Sequence, residues 1–252
     1  MKMLRYPLII GVVLLIFLPV AVLATMIIDH VGNADPTLES PAWAKSGTLN
    51  GSAVNDGGTP AWKTQDTNTL YVSYNYVMPE STFNDPTGWT YSIRTRMVSS
   101  LHSTGVVIGM GFWINEINDY FLFTLVGGDT SAENGLWLWT GGINYTLLKN
   151  MDTTSAYHTY QVIYNPGQTD RVGVYVDGVK VAEVLDSQVP AAYAGNKYVA
   201  WGITGTTALG EDGNWNYAAF ETGQHLVPLP PTALLLGSGL LGLAGWRRFR
   251  KN

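Results

Sequence analysis

No cysteine occurs among the 252 residues. That excludes disulfide staples, thiolate nucleophiles and cysteine-ligated metals. Histidine is scarce. His30, His102, His158 and His225 are the whole complement, and none sits in a nucleophile motif, so a Ser-His-Asp arrangement has no support. His158 precedes a strand and is read as a structural hydrogen-bonding group. Charge is thin at 13%. Bases are rarest in the middle of the chain. Residues 25–226 hold all 19 acids but only eight bases (Lys45, Lys63, Arg94, Arg96, Lys149, Arg171, Lys180, Lys197), giving 8 − 19 = −11 against −5 for the whole chain. Such a segment excludes nucleic acid and anionic lipid as natural partners. No repeat and no low-complexity tract precedes the tail.

The missing bases are at the ends. "MKMLRYPLIIGVVLLIFLPVAVLA" carries Lys2 and Arg5, an apolar stretch from Leu8 to Val20, and Ala24 after Val22. This is the layout of a secretory signal peptide over residues 1–24, with cleavage after Ala24. An uncleaved anchor is the alternative, because Met26 to Ile28 prolong the apolar run. The chain ends on "VPLPPTALLLGSGLLGLAGWRRFRKN". Pro228, Pro230 and Pro231 hold Val227 to Pro230 extended, while Pro231 can open a helix. Residues 231–246 carry no charge, and Arg247, Arg248, Arg250 and Lys251 follow. A comfortable membrane span takes about 20 residues, so this one is short. Trp246 suits an interface, and the arginines can snorkel to complete the crossing. A helix packed on a soluble core would show a polar face, and this one shows none. The basic end is expected to stay inside.

A signal peptide in front, with "VPLPP", a short apolar helix and "RRFRK" behind, resembles the PEP-CTERM sorting signal in its VPLPA-like variant. The resemblance covers residues 227–252, with Val227, Pro228, Leu229, Pro230, Arg247, Arg248 and Arg250 carrying the motif. It implies an exosortase-like membrane protease as partner, a membrane anchor through the C-terminal helix before processing, and a cell-surface or extracellular destination afterwards. Leu229 stands where the main family has glutamate, as is usual for the variant. Pro231 stands where the variant usually has alanine.

Residues 25–45 read as a linker, since Asp35-Pro36 and Ser40-Pro41 interrupt any regular element. From about Gly47 the pattern has a period of two. "WTYSIRTRMV" sets Trp89, Tyr91, Ile93 and Met97 against Ser92, Arg94 and Arg96. "GVVIGMGFWIN", "DYFLFTLVGGD" and "NGLWLWTGG" continue the pattern, placing Trp113 and Asn115 opposite Phe112 and Ile114, and Trp137 and Trp139 opposite Leu136 and Leu138. "HTYQVIYNPGQTDRVGVYVDGVKVAEVL" predicts three strands with turns at Asn165-Pro166-Gly167 and Asp177-Gly178, the latter a hairpin signal. About twelve strands are expected, with one short helix near Pro190–Ala194. That inventory predicts an all-β fold, a two-sheet antiparallel sandwich over residues 46–223.

The runs from "WTYSIRTRM" to "NWNYAAFETG" resemble the concanavalin A-like lectin/glucanase superfamily, close to laminin-G-like modules, over roughly residues 45–223. The resemblance implies a jelly-roll topology. It leaves open a lectin, a binding module, an adhesive domain or a glycoside hydrolase, because fold does not choose among them. Hydrolysis needs two carboxylates at a fixed separation, and the glucanase pattern E-x-D-x-x-E is absent. Glu116 and Asp119 are the nearest pair, on opposite faces if they share a strand. A non-catalytic glycan-binding module associated with extracellular polysaccharide or biofilm matrix is therefore expected. A structural matrix or adhesion protein is the alternative, and a hydrolase the third reading. Tryptophan faces stack on the C–H faces of sugars, while amides and guanidinium groups take hydroxyls. The candidate ligand residues are Trp113, Asn115, Trp137, Trp139, Arg94 and Arg96, provided that the arginine strand belongs to the same sheet surface. Asp129 and Asp212 are the candidate ligands for Ca2+, in glycine-rich loops that also suit plain turns.

Overall fold

A computed structural model describes residues 24–66, 72–99, 110–127, 133–168, 171–203 and 212–223, Arg171 by its backbone alone. The signal-like and sorting-like ends lie outside the described residues. So do His102, Asp129 and His225. Among the described residues no helix is long and apolar enough to cross a membrane.

The chain forms β1 (Thr25–Val31), β2 (Ala44–Gly47), β3 (Ser52–Asp56), β4 (Thr59–Gln65) and β5 (Val72–Met78). Next come β6 (Trp89–Ser99), β7 (Met110–Asn115), β8 (Tyr120–Val126), β9 (Gly135–Gly141) and β10 (Asn144–Asn150). The last are β11 (His158–Tyr164), β12 (Arg171–Val176), β13 (Val179–Leu185), β14 (Lys197–Ile203) and β15 (Asp212–Thr222). They make two antiparallel sheets. One runs β13-β12-β11-β6-β15-β4-β3, with β1 also on β15; the other runs β10-β9-β8-β7-β14-β5-β2. Neighbours distant in sequence, such as β6 beside β15 and β7 beside β14, mark a jelly-roll weave rather than a meander.

Alternation builds the core as read. Trp89, Tyr91, Ile93 and Met97 of β6 are fully buried, and so are Phe112 and Ile114 of β7 and Phe121 and Phe123 of β8. They belong to one apolar cluster between the sheets. Tryptophan dominates one end, where Trp201 tilts against Trp215 with ring centroids 5.2 Å apart and meets Trp43 edge-on at 5.8 Å. The hairpin signal holds too. Asp177 and Gly178 take φ of 50° and 78°, as a two-residue turn of matching twist requires. Asp177 then caps β11, its Oδ1 accepting from the Thr159 amide at 2.9 Å while Oδ2 meets His158 Nδ1 at 2.7 Å. His158 has the structural role expected of it.

Three expectations are corrected. Residues 25–45 are not a linker. β1 lies antiparallel to β15, His30 stacks on Trp201 at 5.1 Å, and Ile28 and Trp43 are buried at 1% exposure. Pro36 opens a single tight turn, Pro36–Leu38, capped by Asp35, and the sandwich begins at Thr25 and not near residue 46. Pro190–Ala194 is not helical. It runs as an extended strap, because its backbone pairs with the turn before β8: Tyr120 N donates to Pro190 O at 2.9 Å and Ala192 N to Asn118 O at 2.8 Å. Among the described residues the strands number fifteen rather than about twelve, since short or irregular strands such as β1, β2 and β5 show weak alternation.

Candidate functional site

Strands β7, β8, β9 and β14 present one face to the core and another outward. The outward residues of β7 are Gly111, Trp113 and Asn115, because Phe112 and Ile114 point in. On β8 they include Tyr120, Leu122 and Thr124, on β9 Trp137 and Trp139, and on β14 Tyr198 and Ala200. Trp113, Tyr120, Leu122 and Ala200 make a second apolar cluster, flanked by Trp139 and Tyr198 and separate from the core. The outer face of the seven-stranded sheet is thus an aromatic layer.

A groove of about 400 Å³ crosses this layer. Trp113, Tyr193 and Tyr198 supply its rings, and Ser73, Asn75 and Asn196 are among its polar groups. Among the described residues no charged side chain lines it. Tyr198 hydrogen-bonds Trp113, and burial raises its hydroxyl's pKa. Tyr120 is raised still further by burial and by the neighbouring phenols Tyr198, Tyr193 and Tyr145. Burial takes Tyr145 up to about 12. All four phenols face the same layer, and Tyr120, Tyr145 and Tyr198 stay protonated at neutral pH, able to donate as well as accept.

The strap carrying Tyr193 is held by Asn115. Asn115 Nδ2 donates to Tyr193 O at 3.3 Å and Asn196 O at 2.9 Å, and Oδ1 accepts from Tyr193 N at 2.9 Å. Its amide is thereby engaged on both sides at 1% exposure. Asn115 positions the groove wall and is not a free ligand donor. Tyr193 stands 54% exposed and packs edge-on against Tyr120 at 4.7 Å, which in turn meets Trp139 at 5.8 Å.

The sequence-predicted set is therefore divided. Trp113, Trp137 and Trp139 share one outer sheet face, as the alternation predicts. Trp113 lies in the groove at 8% exposure. Trp139 adjoins it through Tyr120, while Trp137 is half-buried outside the lining, its indole donating to Glu133 O at 3.0 Å. Arg94 and Arg96 belong to the other sheet, on its outer face, because β6 pairs with β11 and β15. The whole sandwich separates them from the tryptophans. The sequence reading passed over Tyr120, Tyr193 and Tyr198. Alternation in "KYVAWGI", with Tyr198 against Val199 and Trp201, is the signal that reveals Tyr198. Tyr193 has no such signal, since only the strap's docking puts it there.

Two acidic candidates also fall differently. Glu116 and Asp119 are not on opposite strand faces. They close a turn after β7, with Glu116 N donating to Asp119 O at 3.1 Å. Their carboxyl groups hydrogen-bond each other, and burial, then the charges of Asp119 and Asp186, push Glu116 up to about 8. Two carboxyls in direct contact leave no room for a glycosidic bond between them. Asp212 pairs with Lys63 at 2.7 Å across β15 and β4, and Asp129 is outside the described residues. Among the described residues no group of three or more His, Asp or Glu side chains is placed to hold a metal ion.

No protein-family model matches the chain, and no curated protein matches its sequence. Solved structures share the fold. A carbohydrate esterase from the Shiga toxin-encoding bacteriophage phi24B overlays with a TM-score of 0.54 at 14% identity, covering 80% of this chain and 100% of that one. An endo-β-1,4-glucuronan lyase from the fungus Trichoderma reesei gives 0.51 at 14%, covering 82% and 99%. At such identity the likeness establishes the class, a two-sheet jelly-roll sandwich, and nothing finer.

Proposed function

We propose that the protein is an exported, non-catalytic glycan-binding module, and that the outer face of its seven-stranded sheet holds a neutral saccharide. One observation carries this reading: a groove walled by Trp113, Tyr193 and Tyr198 and lined, among the described residues, by no charged group. Sugar rings offer apolar C–H faces to indoles and phenols, and their hydroxyls match neutral amides and hydroxyls. A charged ligand entering here would lose hydration without an ion partner. The solved structures of like fold are named for carbohydrate chemistry, an esterase and a lyase. That agrees with the ligand class, while the groove's lack of charge speaks against transferring either reaction.

Export and sorting complete the proposal. β1 starts at Thr25, directly after the residue where the signal peptide is expected to be cut. The sorting-signal resemblance then implies transient anchoring, processing by an exosortase-like protease and release into an extracellular polysaccharide. Intact mass of protein from a host with such a protease should lack Arg247–Asn252; finding Asn252 on the extracted protein replaces sorting with permanent anchoring.

The binding test is a glycan screen with residues 25–223, a span that keeps β1, which a shorter fragment would cut. Neutral oligosaccharides should bind, and Tyr193→Ala should abolish the signal. Self-association untouched by any sugar would instead favour a structural matrix protein.

A further inference from the structure

On the eight-stranded sheet the outer face is built around a β-bulge. Trp215 of β15 pairs with Thr95, but Tyr217 pairs with Arg94, so Asn216 has no partner of its own. Trp215 and Ala218 both point into the core. A spacing of three between inward residues turns Asn216 and Tyr217 outward together, and bulges commonly re-aim side chains in this way beside functional sites. Asn216 is fixed by donating from Nδ2 to Pro60 O at 2.7 Å. Its Oδ1 accepts from Arg94 Nη1.

The two arginines of β6 differ in kind. Arg96 is neutralised: Nε and Nη2 grip the Asp56 carboxylate at 2.8 and 2.6 Å. Asp56 also accepts from Tyr157 Oη at 3.0 Å and Asn214 Nδ2 at 2.9 Å. Those donors hold its pKa low against the opposing effect of burial. Arg94 has no carboxylate partner among the described residues. Its guanidinium lies 5.1 Å from the ring centre of Tyr157, and among the described residues its hydrogen bond goes to the neutral Asn216. A guanidinium offers five donors in a planar fork, so most of Arg94's remain open. The ring and the bulge preset its orientation, which lowers the ordering cost of binding.

We propose that Arg94, framed by Tyr157, Asn216 and Tyr217, binds the carboxylate of an acidic sugar residue. The site is separate from the uncharged groove and rests on the reading of the protein as a glycan binder only for its choice of a sugar. A planar guanidinium suits a carboxylate through two parallel hydrogen bonds. Tyr217 stands across the ladder on β15 and Thr159 on β11, giving a ring face and a hydroxyl beside the charge. Acidity elsewhere on the domain opposes anions in general, so recognition is local to this one open guanidinium and not a property of a basic surface.

The experiment compares an oligoglucuronate with the same oligomer after its carboxyl groups are reduced to neutral alcohols, each titrated against the detergent-purified full chain. The acidic oligomer should bind with an excess affinity that Arg94→Gln removes by tenfold or more. The same substitution should leave binding of the reduced oligomer unchanged. Asn216→Asp supplies an internal carboxylate to Arg94, gives up the exposed hydrogen bond to Pro60 O, and should remove the excess while circular dichroism shows the domain still folded. Tyr193→Ala should spare the acidic excess while losing the neutral oligomer, so failure of the groove reading and failure of this one are distinguishable. Binding of the acidic oligomer that is no weaker in Arg94→Gln than in the unaltered chain, or that survives Asn216→Asp, overturns the proposal.

Discussion

The two outer faces of the sandwich solve different problems with the same backbone. The seven-stranded sheet shows tryptophan and tyrosine with no charge in the groove. The eight-stranded sheet shows two arginines, one tied to Asp56 and one open, over a tyrosine ring. On the first face strict alternation places Trp113 and Tyr198, and the docked strap adds Tyr193. On the second an interruption of alternation places Asn216 and Tyr217. The lesson is that regular strands make broad surfaces, whereas a bulge makes a point of contact.

The largest effect should come from what both faces share. Ile93→Ala and Met97→Ala each remove a fully buried side chain, at about 2–5 kcal/mol. Chemical denaturation should show the loss, with both outer faces failing together. A cost under about 1 kcal/mol would mean that the core collapses around the gap.

Asp56→Ala should separate the faces. It takes an acceptor from the half-buried Arg96 and Tyr157 and leaves the buried Asn214 amide without one, and an unpaired buried group costs about 1–3 kcal/mol. Denaturation midpoints should fall, while titration with neutral glycan should not change. A loss of neutral binding would show that the sheets communicate.

Within the aromatic face, Trp113→Ala should weaken neutral glycan by about 1–3 kcal/mol, the scale of one large side chain leaving contact. Trp137→Ala, outside the groove lining, should cost under about 0.5 kcal/mol. Equal effects from the two would spread the site over the whole layer.

The subtlest probe is pH. Glu116 rises from 4.5 to about 8 in the folded chain, so the folded state holds a proton that the unfolded state has released. Stability contributed by that proton is present below pH 4.5, declines as pH rises toward about 8, and is flat beyond. Glu116→Gln should flatten this slope in thermal melts. Because the turn bonds to the strap that bears Tyr193, the slope should also appear in neutral glycan affinity and not in binding at Arg94.

Much of the architecture was legible because alternation is local. Residue after residue in "WTYSIRTRM" and "GFWIN" states which side is apolar, and a strand has only two sides. The hairpin at Asp177-Gly178 was legible because positive φ is a property of the turn itself. Residues 25–45 misled because prolines mark breaks, and what lies between breaks can still pair when a partner strand such as β15 is available.

By itself the sequence determined that the fold is all-β, that tryptophan and aliphatic side chains part to opposite faces of β7 and β9, and that the domain between the ends is acidic. Only tertiary structure decided which sheet each strand joins, and so which faces meet. Arg94 and Trp113 looked like neighbours because both are outward on strands close in sequence, yet strand order is set by pairings such as β6 with β15 and β7 with β14. Those pairings link residues about a hundred positions apart. Alternation fixes the side of a strand and carries no information about the identity of the strand beside it.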